Sequence, residues 1–231
     1  MKKKTELWMG LLMLLMVAGI VSHVEPSTAS NSASKTNTRY TVVIDAGHGG
    51  NDPGKVGTNN ALEKEINLKI AYQLKEFLEA NDVKVILTRE TDDGLYSSTD
   101  GNKKKADLKQ RAKIVEDAEP DIVISIHQNS FPQASVKGAQ VFYYEKSEKS
   151  KLLAELIQEE LNEMTGAEKK RTAKANGNYY LLLNVKPPIV IVECGFLSNP
   201  SEAALLITEE YQEQVAWNIH MGIMQYLNSK K

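Results

Sequence analysis

The 231-residue sequence is nearly free of cysteine, and this shortage limits how the fold can be stabilised. Cys194 is the only cysteine, so no disulfide can form within the chain and packing alone must stabilise it. A role for Cys194 as a thiol nucleophile is disfavoured, because strand alternation points it away from the neighbouring Glu193. The sequence also lacks internal repeats, and its 42% hydrophobic and 25% charged content is ordinary for one soluble domain.

An excess of positive charge is also missing. The formal net charge is −2, and residues 1–38 hold four lysines against two glutamates. The remainder therefore has 24 basic and 28 acidic residues, a charge of about −4. A mildly acidic domain argues against nucleic acid as a partner.

The stretch "VVIDAGHGG", Val42–Gly50, lacks the spacing of a nucleotide-phosphate cradle. Counted from Gly47, the third glycine of G-x-G-x-x-G would fall on Asp52, and no Gly-Lys-Ser/Thr follows. The apolar β-branched residues predict a buried strand, and the glycines permit a sharp turn that holds His48 at the strand's end. The alternative is an ordinary turn in which His48 is incidental.

The N-terminus is typical of an exported protein. Three lysines precede an apolar run from Leu7 to Val21, and small residues at Ser27 and Ala29 suit a cleavage site after Ala29. An uncleaved membrane anchor remains the alternative, because the run approaches the length of a short span. We therefore assign residues 1–29 to an export signal or anchor, 30–38 to a flexible linker and 39–231 to a single catalytic domain.

Strand-like apolar runs alternate with helical patterns through the domain. The predicted strands are Thr41–Ile44, Val83–Leu87, Ile122–Ile126, Ala139–Phe142 and Ile189–Val192. Apolar residues recur at helical spacing between 66 and 77, 153 and 164, and 215 and 227. This order predicts an α/β fold, a twisted and mostly parallel sheet with helices on both faces. Ligands of such sheets bind at the carboxyl ends of the strands.

Four polar residues are expected at that edge. His48, His127 and Glu193 each follow an apolar strand, and Glu63 falls in the first turn of the first helix. Taken singly, Glu63 could serve only the helix dipole, and His127 could be an ordinary satisfied polar residue. Glu193 is harder to explain so simply, because burial of a carboxylate without a partner is costly. A metal or a reacting proton would explain the group.

Several stretches resemble the zinc-dependent N-acetylmuramoyl-L-alanine amidases of bacterial cell walls. The matching stretches, in family order, are "DAGHGGNDPGKVG", "LEKEINL", "VILTRETD", "LKQRAKI", "ISIHQNS" and "VECGFLSNPSEAALL". The resemblance implies that His48, Glu63 and His127 bind one Zn²⁺ per chain and that Glu193 is the catalytic glutamate. Two histidines and a carboxylate suit zinc without an HExxH motif. The implied substrate is the amide between the lactyl group of muramic acid and L-alanine of peptidoglycan stem peptides.

Further stretches, "GAQVFYYEKSEKS" and "RTAKANGNYYLL", resemble the subgroup that acts on spore cortex. That subgroup implies a germination role, through muramic-δ-lactam formation, and a location in the intermembrane space of the forespore. Gln128 stands where the family often has alanine. The segment 94–105 is unusually long, and we predict that it is an exposed loop. Membrane contact is expected only through the N-terminal segment, and no accessory protein is identifiable. The rival functions are a zinc exopeptidase of related fold and an inactive wall-binding protein.

Overall fold

A single sheet of six strands forms the centre of the domain. The computed structural model describes residues 38–166 and 170–229. The strands are β1 (Tyr40–Ala46), β2 (Val83–Leu87), β3 (Ile122–Asn129), β4 (Gln140–Tyr144), β5 (Lys174–Asn176) and β6 (Ile189–Phe196). Their order across the sheet is β2-β1-β3-β6-β4-β5. The predicted export signal and the linker, apart from Thr38, lie outside the described residues.

The first four strands of that order run parallel, and β4 pairs antiparallel with β6. The parallel register aligns Ala46 with Ile126, and His127 with Glu193. The carboxyl ends of β1, β3 and β6 therefore meet at one edge of the sheet. The predicted α/β class with a mostly parallel sheet is confirmed.

Within the described residues, six helices connect or follow the strands. They are α1 (Glu63–Glu79), α2 (Lys103–Ala118), α3 (Glu148–Thr165), α4 (Tyr180–Asn184), α5 (Pro200–Leu206) and α6 (Glu209–Ser229). The long amphipathic helices α1, α3 and α6 pack together on one face of the sheet, and α2 and α4 cover the other. No helix within the described residues is both long enough and apolar enough to cross a membrane.

Alternation along the strands divides the core between these faces. Val42 and Ile44 of β1 join the larger cluster with α1, whereas Val43 joins the smaller cluster with Val115 and Leu181. Cys194 is fully buried in the larger cluster, as alternation predicted, with no disulfide partner. Burial raises the pKa of its thiol far above the ordinary value.

The prediction of an exposed loop over 94–105 was wrong at its C-terminal end. Lys103, Lys104 and Lys105 form the first turn of α2, which Asn102 caps by accepting a hydrogen bond from Lys105 N at 2.9 Å. Earlier in this segment, Tyr96 contacts the β1–α1 loop, because its Oη accepts a hydrogen bond from Asn51 N at 2.9 Å. The turn chemistry of Asn102 was the signal for this helix start.

Candidate active site

The turn after β1 carries His48 in a conformation that side chains rarely adopt. His48 has a φ of 64°, in the left-handed region, and glycines on both sides let the chain reverse around it. Gly47 has a further reason to be glycine. A Cβ atom there would lie 2.2 Å from Cε1 of His127, so only glycine lets the two segments approach. The rings of His48 and His127 meet edge to face, with centroids 5.0 Å apart.

Glu63 is the first residue of α1, and its side chain points into the domain rather than into solvent. Only 1% of the surface of this residue is exposed. Its Oε2 accepts a hydrogen bond from Lys55 N at 2.6 Å, and its Oε1 accepts one from Gln128 N at 3.0 Å. These backbone donors belong to the β1–α1 loop and to β3, so Glu63 joins the two segments that carry the histidines.

The predicted ligand residues converge. His48 Nε2 lies 3.2 Å and His127 Nδ1 lies 3.0 Å from Oε1 of Glu63. One ligand atom from each residue lies within 4.8 Å of the other two. Tetrahedral zinc with bonds of about 2.0–2.1 Å requires ligand atoms roughly 3.3 Å apart, so small adjustments would accommodate the ion. The donor set of two imidazoles and a carboxylate thus fits zinc.

Electrostatics keep Glu63 ionised in this cluster. Burial alone would raise the pKa of Glu63, but hydrogen bonds and charge from His127 and His48 lower it far below its usual range. For His127 the opposite balance holds. Burial lowers the pKa of His127, but the hydrogen bond and the charge of Glu63 raise it by more. The net result is a pKa above the usual value for histidine. A deprotonated carboxylate is the form that a metal ligand must take.

Asp52 orients His48 from outside the cluster. Its Oδ2 lies 2.9 Å from Nδ1 of His48, which leaves Nε2 free to face Glu63. Outer carboxylates of this kind fix the tautomer and orientation of metal-binding histidines. Burial opposes ionisation of Asp52, but the His48 hydrogen bond and, more weakly, the charge of Lys104 lower its pKa. Asp52 was not predicted from the sequence, although its position four residues after His48 was a usable signal.

Glu193 lies next to this cluster on the adjacent strand. It is paired in register with His127, and it is 7% exposed. Its Oε2 is buried and has no hydrogen-bond partner, while Oε1 lies 3.5 Å from Tyr179 Oη. Burial is the main reason that its pKa rises to about 6, with the charge of Glu63 adding to burial and that of His127 opposing it. A carboxylate with this pKa suits a proton acceptor that works near neutral pH.

Two buried arginines hold the loop that carries His48. Arg111 of α2 donates to the carbonyl oxygens of His48 at 2.6 Å and Ala46 at 2.8 Å, and its Nη1 lies 2.6 Å from Asp45 Oδ1. Arg89 donates from Nη2 to Gly47 O at 3.2 Å and to Lys64 O at 2.7 Å. These guanidinium groups occupy the backbone acceptors around the loop and tie it to the start of α1.

Asp45 balances the charge of Arg111. Ser125 Oγ donates to its Oδ2 at 2.6 Å and Thr88 Oγ1 donates to its Oδ1 at 2.8 Å. Burial alone would raise the pKa of Asp45, but Arg111 and the Ser125 hydrogen bond bring it to about 2. Asp45, Arg89 and Arg111 lie in stretches that resemble the family, but no apolar pattern in the sequence predicted that they are buried together.

A cavity of about 60 Å³ adjoins the cluster on the side of α2 and α4. Besides His48, His127 and Asp52, its lining includes Lys104, Asp107, Leu108 and Leu181, and also Asp45, Gly47 and Arg111. The lining is therefore polar at the histidines and includes two apolar side chains, Leu108 and Leu181.

The fold is that of a hydrolase of bacterial cell walls. The family profile described as N-acetylmuramoyl-L-alanine amidase matches residues 42–225. The chain belongs to this family, and it is an N-acetylmuramoyl-L-alanine amidase. The alternative functions, a zinc exopeptidase and an inactive wall-binding protein, are thereby set aside.

Relatives show where the chain falls in the family. It is 40% identical over 192 residues to the germination-specific N-acetylmuramoyl-L-alanine amidase of Bacillus subtilis, covering 82% of this chain and 80% of that one. It is 34% identical over 189 residues to the amidase LytC of the same organism, covering 80% of this chain and 35% of LytC. These matches support the germination subgroup that the sequence resembled.

Solved structures agree with this placement. The CwlD amidase of Clostridioides difficile, determined in complex with the GerS lipoprotein, superposes with a TM-score of 0.80 at 41% identity. The match covers 82% of this chain and 99% of that one. The catalytic domain of CwlV from Bacillus (Paenibacillus) polymyxa gives a TM-score of 0.70 at 33% identity, over 82% of this chain and 98% of that one.

Proposed function

We propose that the chain is a zinc-dependent amidase in which His48, Glu63 and His127 bind one Zn²⁺. The convergence of His48 Nε2, Glu63 Oε1 and His127 Nδ1 carries this proposal. Among the residues that the structure describes, these three form the only group of histidine, cysteine and carboxylate side chains close enough to hold a metal. One such group argues for a single metal.

The chain's own chemistry centres on Glu193. When bound, a zinc ion with three protein ligands supplies an open coordination position and a Lewis acid. Oε2 of Glu193, buried and without a partner, takes a proton from the attacking water as its oxygen bonds to the lactyl carbonyl carbon. The carbon–nitrogen bond then breaks, and Glu193 returns the proton to the departing alanine amine. The pKa of about 6 suits Glu193 to both transfers.

Similarity to the germination-specific amidase and to CwlD supports a role in spore cortex peptidoglycan. Removal of stem peptides there would prepare muramic acid for δ-lactam formation. The basic and apolar N-terminus supports export across the cytoplasmic membrane. The complex of CwlD with GerS supports an accessory lipoprotein as a partner of this chain as well.

Digestion of purified peptidoglycan, followed by mass spectrometry, tests the activity. Free stem peptide and unsubstituted muramic acid are expected in the presence of zinc, and both should disappear after chelation and return on zinc addition. Activity that persists in a fully chelated preparation would refute the zinc requirement. Cell fractionation with a reporter fused after Lys231 tests export, and a soluble cytoplasmic product with an intact N-terminus would contradict it.

A further inference from the structure

The first turn of α2 carries three consecutive lysines, and local helix energetics do not explain them. Lys103, Lys104 and Lys105 begin the helix, and the first turn has no acidic residue. The helix dipole is positive at this end, so cations there are unfavourable by about 0.3–1 kcal/mol each. The helix dipole therefore does not favour three cations at this end of α2.

The three lysines have different surroundings. Lys103 Nζ lies 5.4 Å from the centre of the Tyr96 ring, so a cation–π contact stabilises it. Lys104 is the only one of the three that lines the cavity beside His48 and His127.

The other charged groups of the cavity already have partners. Asp52 accepts hydrogen bonds from His48 and from Gly54 N, and Asp107 pairs with Arg111 at 2.5 Å. By contrast, Nζ of Lys104 makes no hydrogen bond or salt bridge with any residue that the structure describes, and its charge acts on Asp52 only weakly. Among the described residues that line this cavity, Lys104 is therefore the cation without a hydrogen-bonded partner.

We propose that Lys104 is a specificity-determining residue that binds a carboxylate of the stem peptide. This rests on the proposed placement of the zinc and Glu193. The amide that is cleaved separates two chemically different sides. The glycan side presents neutral hydroxyl and acetamide groups, whereas the peptide side carries free carboxylates. A cation beside the cluster therefore distinguishes the peptide side, and the apolar Leu108 and Leu181 of the same cavity suit the small side chain of alanine.

The test compares two forms of one peptidoglycan preparation, with the peptide carboxylates left free or converted to primary amides. Wild type, Lys104→Gln and Lys104→Arg are assayed on both, with zinc content measured on each preparation. Lys105→Gln is the matched control, because it removes a neighbouring charge of the same turn that does not line the cavity.

We expect Lys104→Gln to lower kcat/KM about 3- to 10-fold on the free-carboxylate substrate, mainly by raising KM. On the amidated substrate, kcat/KM of this variant should equal that of the wild type. Lys104→Arg should retain most of the wild-type kcat/KM. The difference between wild type and Lys104→Gln should decrease at 0.5 M salt. Zinc content should match the wild type in every variant.

Equal losses on both substrates, or an equal effect of Lys105→Gln, would overturn the assignment to Lys104. So would an unchanged Lys104→Gln enzyme on the free-carboxylate substrate. Each of these results leaves wild-type amidase activity intact and refutes this proposal alone. Absence of stem-peptide release by the zinc-loaded wild type from either substrate would instead refute the proposed function, and this inference with it.

Discussion

Replacement of Glu193 by glutamine should separate catalysis from metal binding. The amide has nearly the same shape but cannot accept the proton, and Glu193 is not among the three converging ligand atoms. Loss of a general base slows reactions by about 10²- to 10⁴-fold, which corresponds to about 3–5 kcal/mol of activation free energy. Zinc content should stay at about one per chain.

The same change has a defined effect on stability in the metal-free protein. Folding raises the pKa of Glu193 from 4.5 to about 6, mainly through burial, so the folded state disfavours its charge. This difference of about 1.5 pH units corresponds to about 2 kcal/mol of the free energy of unfolding. The wild type loses this stability as pH rises from below 4.5 to above 6. Glutamine never ionises, so metal-free Glu193→Gln should be at least as stable as wild type above pH 6. The difference should decrease below pH 4.5.

The assay measures zinc, turnover and melting temperature on one preparation, with Glu63→Gln as the comparison. Glu63 contacts both histidines, so its change should lower zinc affinity by an order of magnitude or more along with activity. Zinc lost in step with activity in Glu193→Gln would show that Glu193 is a fourth ligand. Full turnover in that variant would mean that another group is the base.

Four further substitutions probe the site and its support. His48→Ala and His127→Ala should each lose zinc and activity while circular dichroism shows the fold retained; stoichiometric zinc with full turnover would contradict the ligand assignment. Gly47→Ala places a methyl carbon 2.2 Å from His127 Cε1, so zinc affinity by chelator competition should fall about 10-fold. Unchanged affinity would mean that the His127 ring can shift freely. Asp45 is buried, which raises its pKa, but Arg111 and other contacts lower it from 3.8 to about 2. Ionised Asp45 therefore adds about 2 kcal/mol to the free energy of unfolding above pH 4, and this contribution is lost as pH falls through 2. Urea unfolding of Asp45→Asn should lack this part of the acid sensitivity.

Apolar periodicity alone was enough to predict the main elements of the fold. The strands at β1, β3 and β6 are runs of β-branched residues buried on both faces, a pattern that strands in parallel sheets produce. The missed elements lack such a pattern. Only Arg111 and Val115 are buried in the sixteen residues of α2, and β5 has three residues, two of them exposed. Local sequence also carries no information on the reversed direction of β4, because pairing direction depends on contacts across the sheet.

The sequence by itself determined which residues are available for chemistry, because His48, Glu63, His127 and Glu193 each sit where an apolar run ends or a helix begins. Their division into ligands and base came from family resemblance, and it stays a prediction. Only the tertiary structure decided what surrounds them. Asp45 and Arg111 are 66 residues apart, and no local pattern in the sequence pairs them. They become a buried pair because the register of β1 and the packing of α2 bring them together away from water. Burial and charge at each site residue depend on long-range contacts of this kind, which no local pattern encodes.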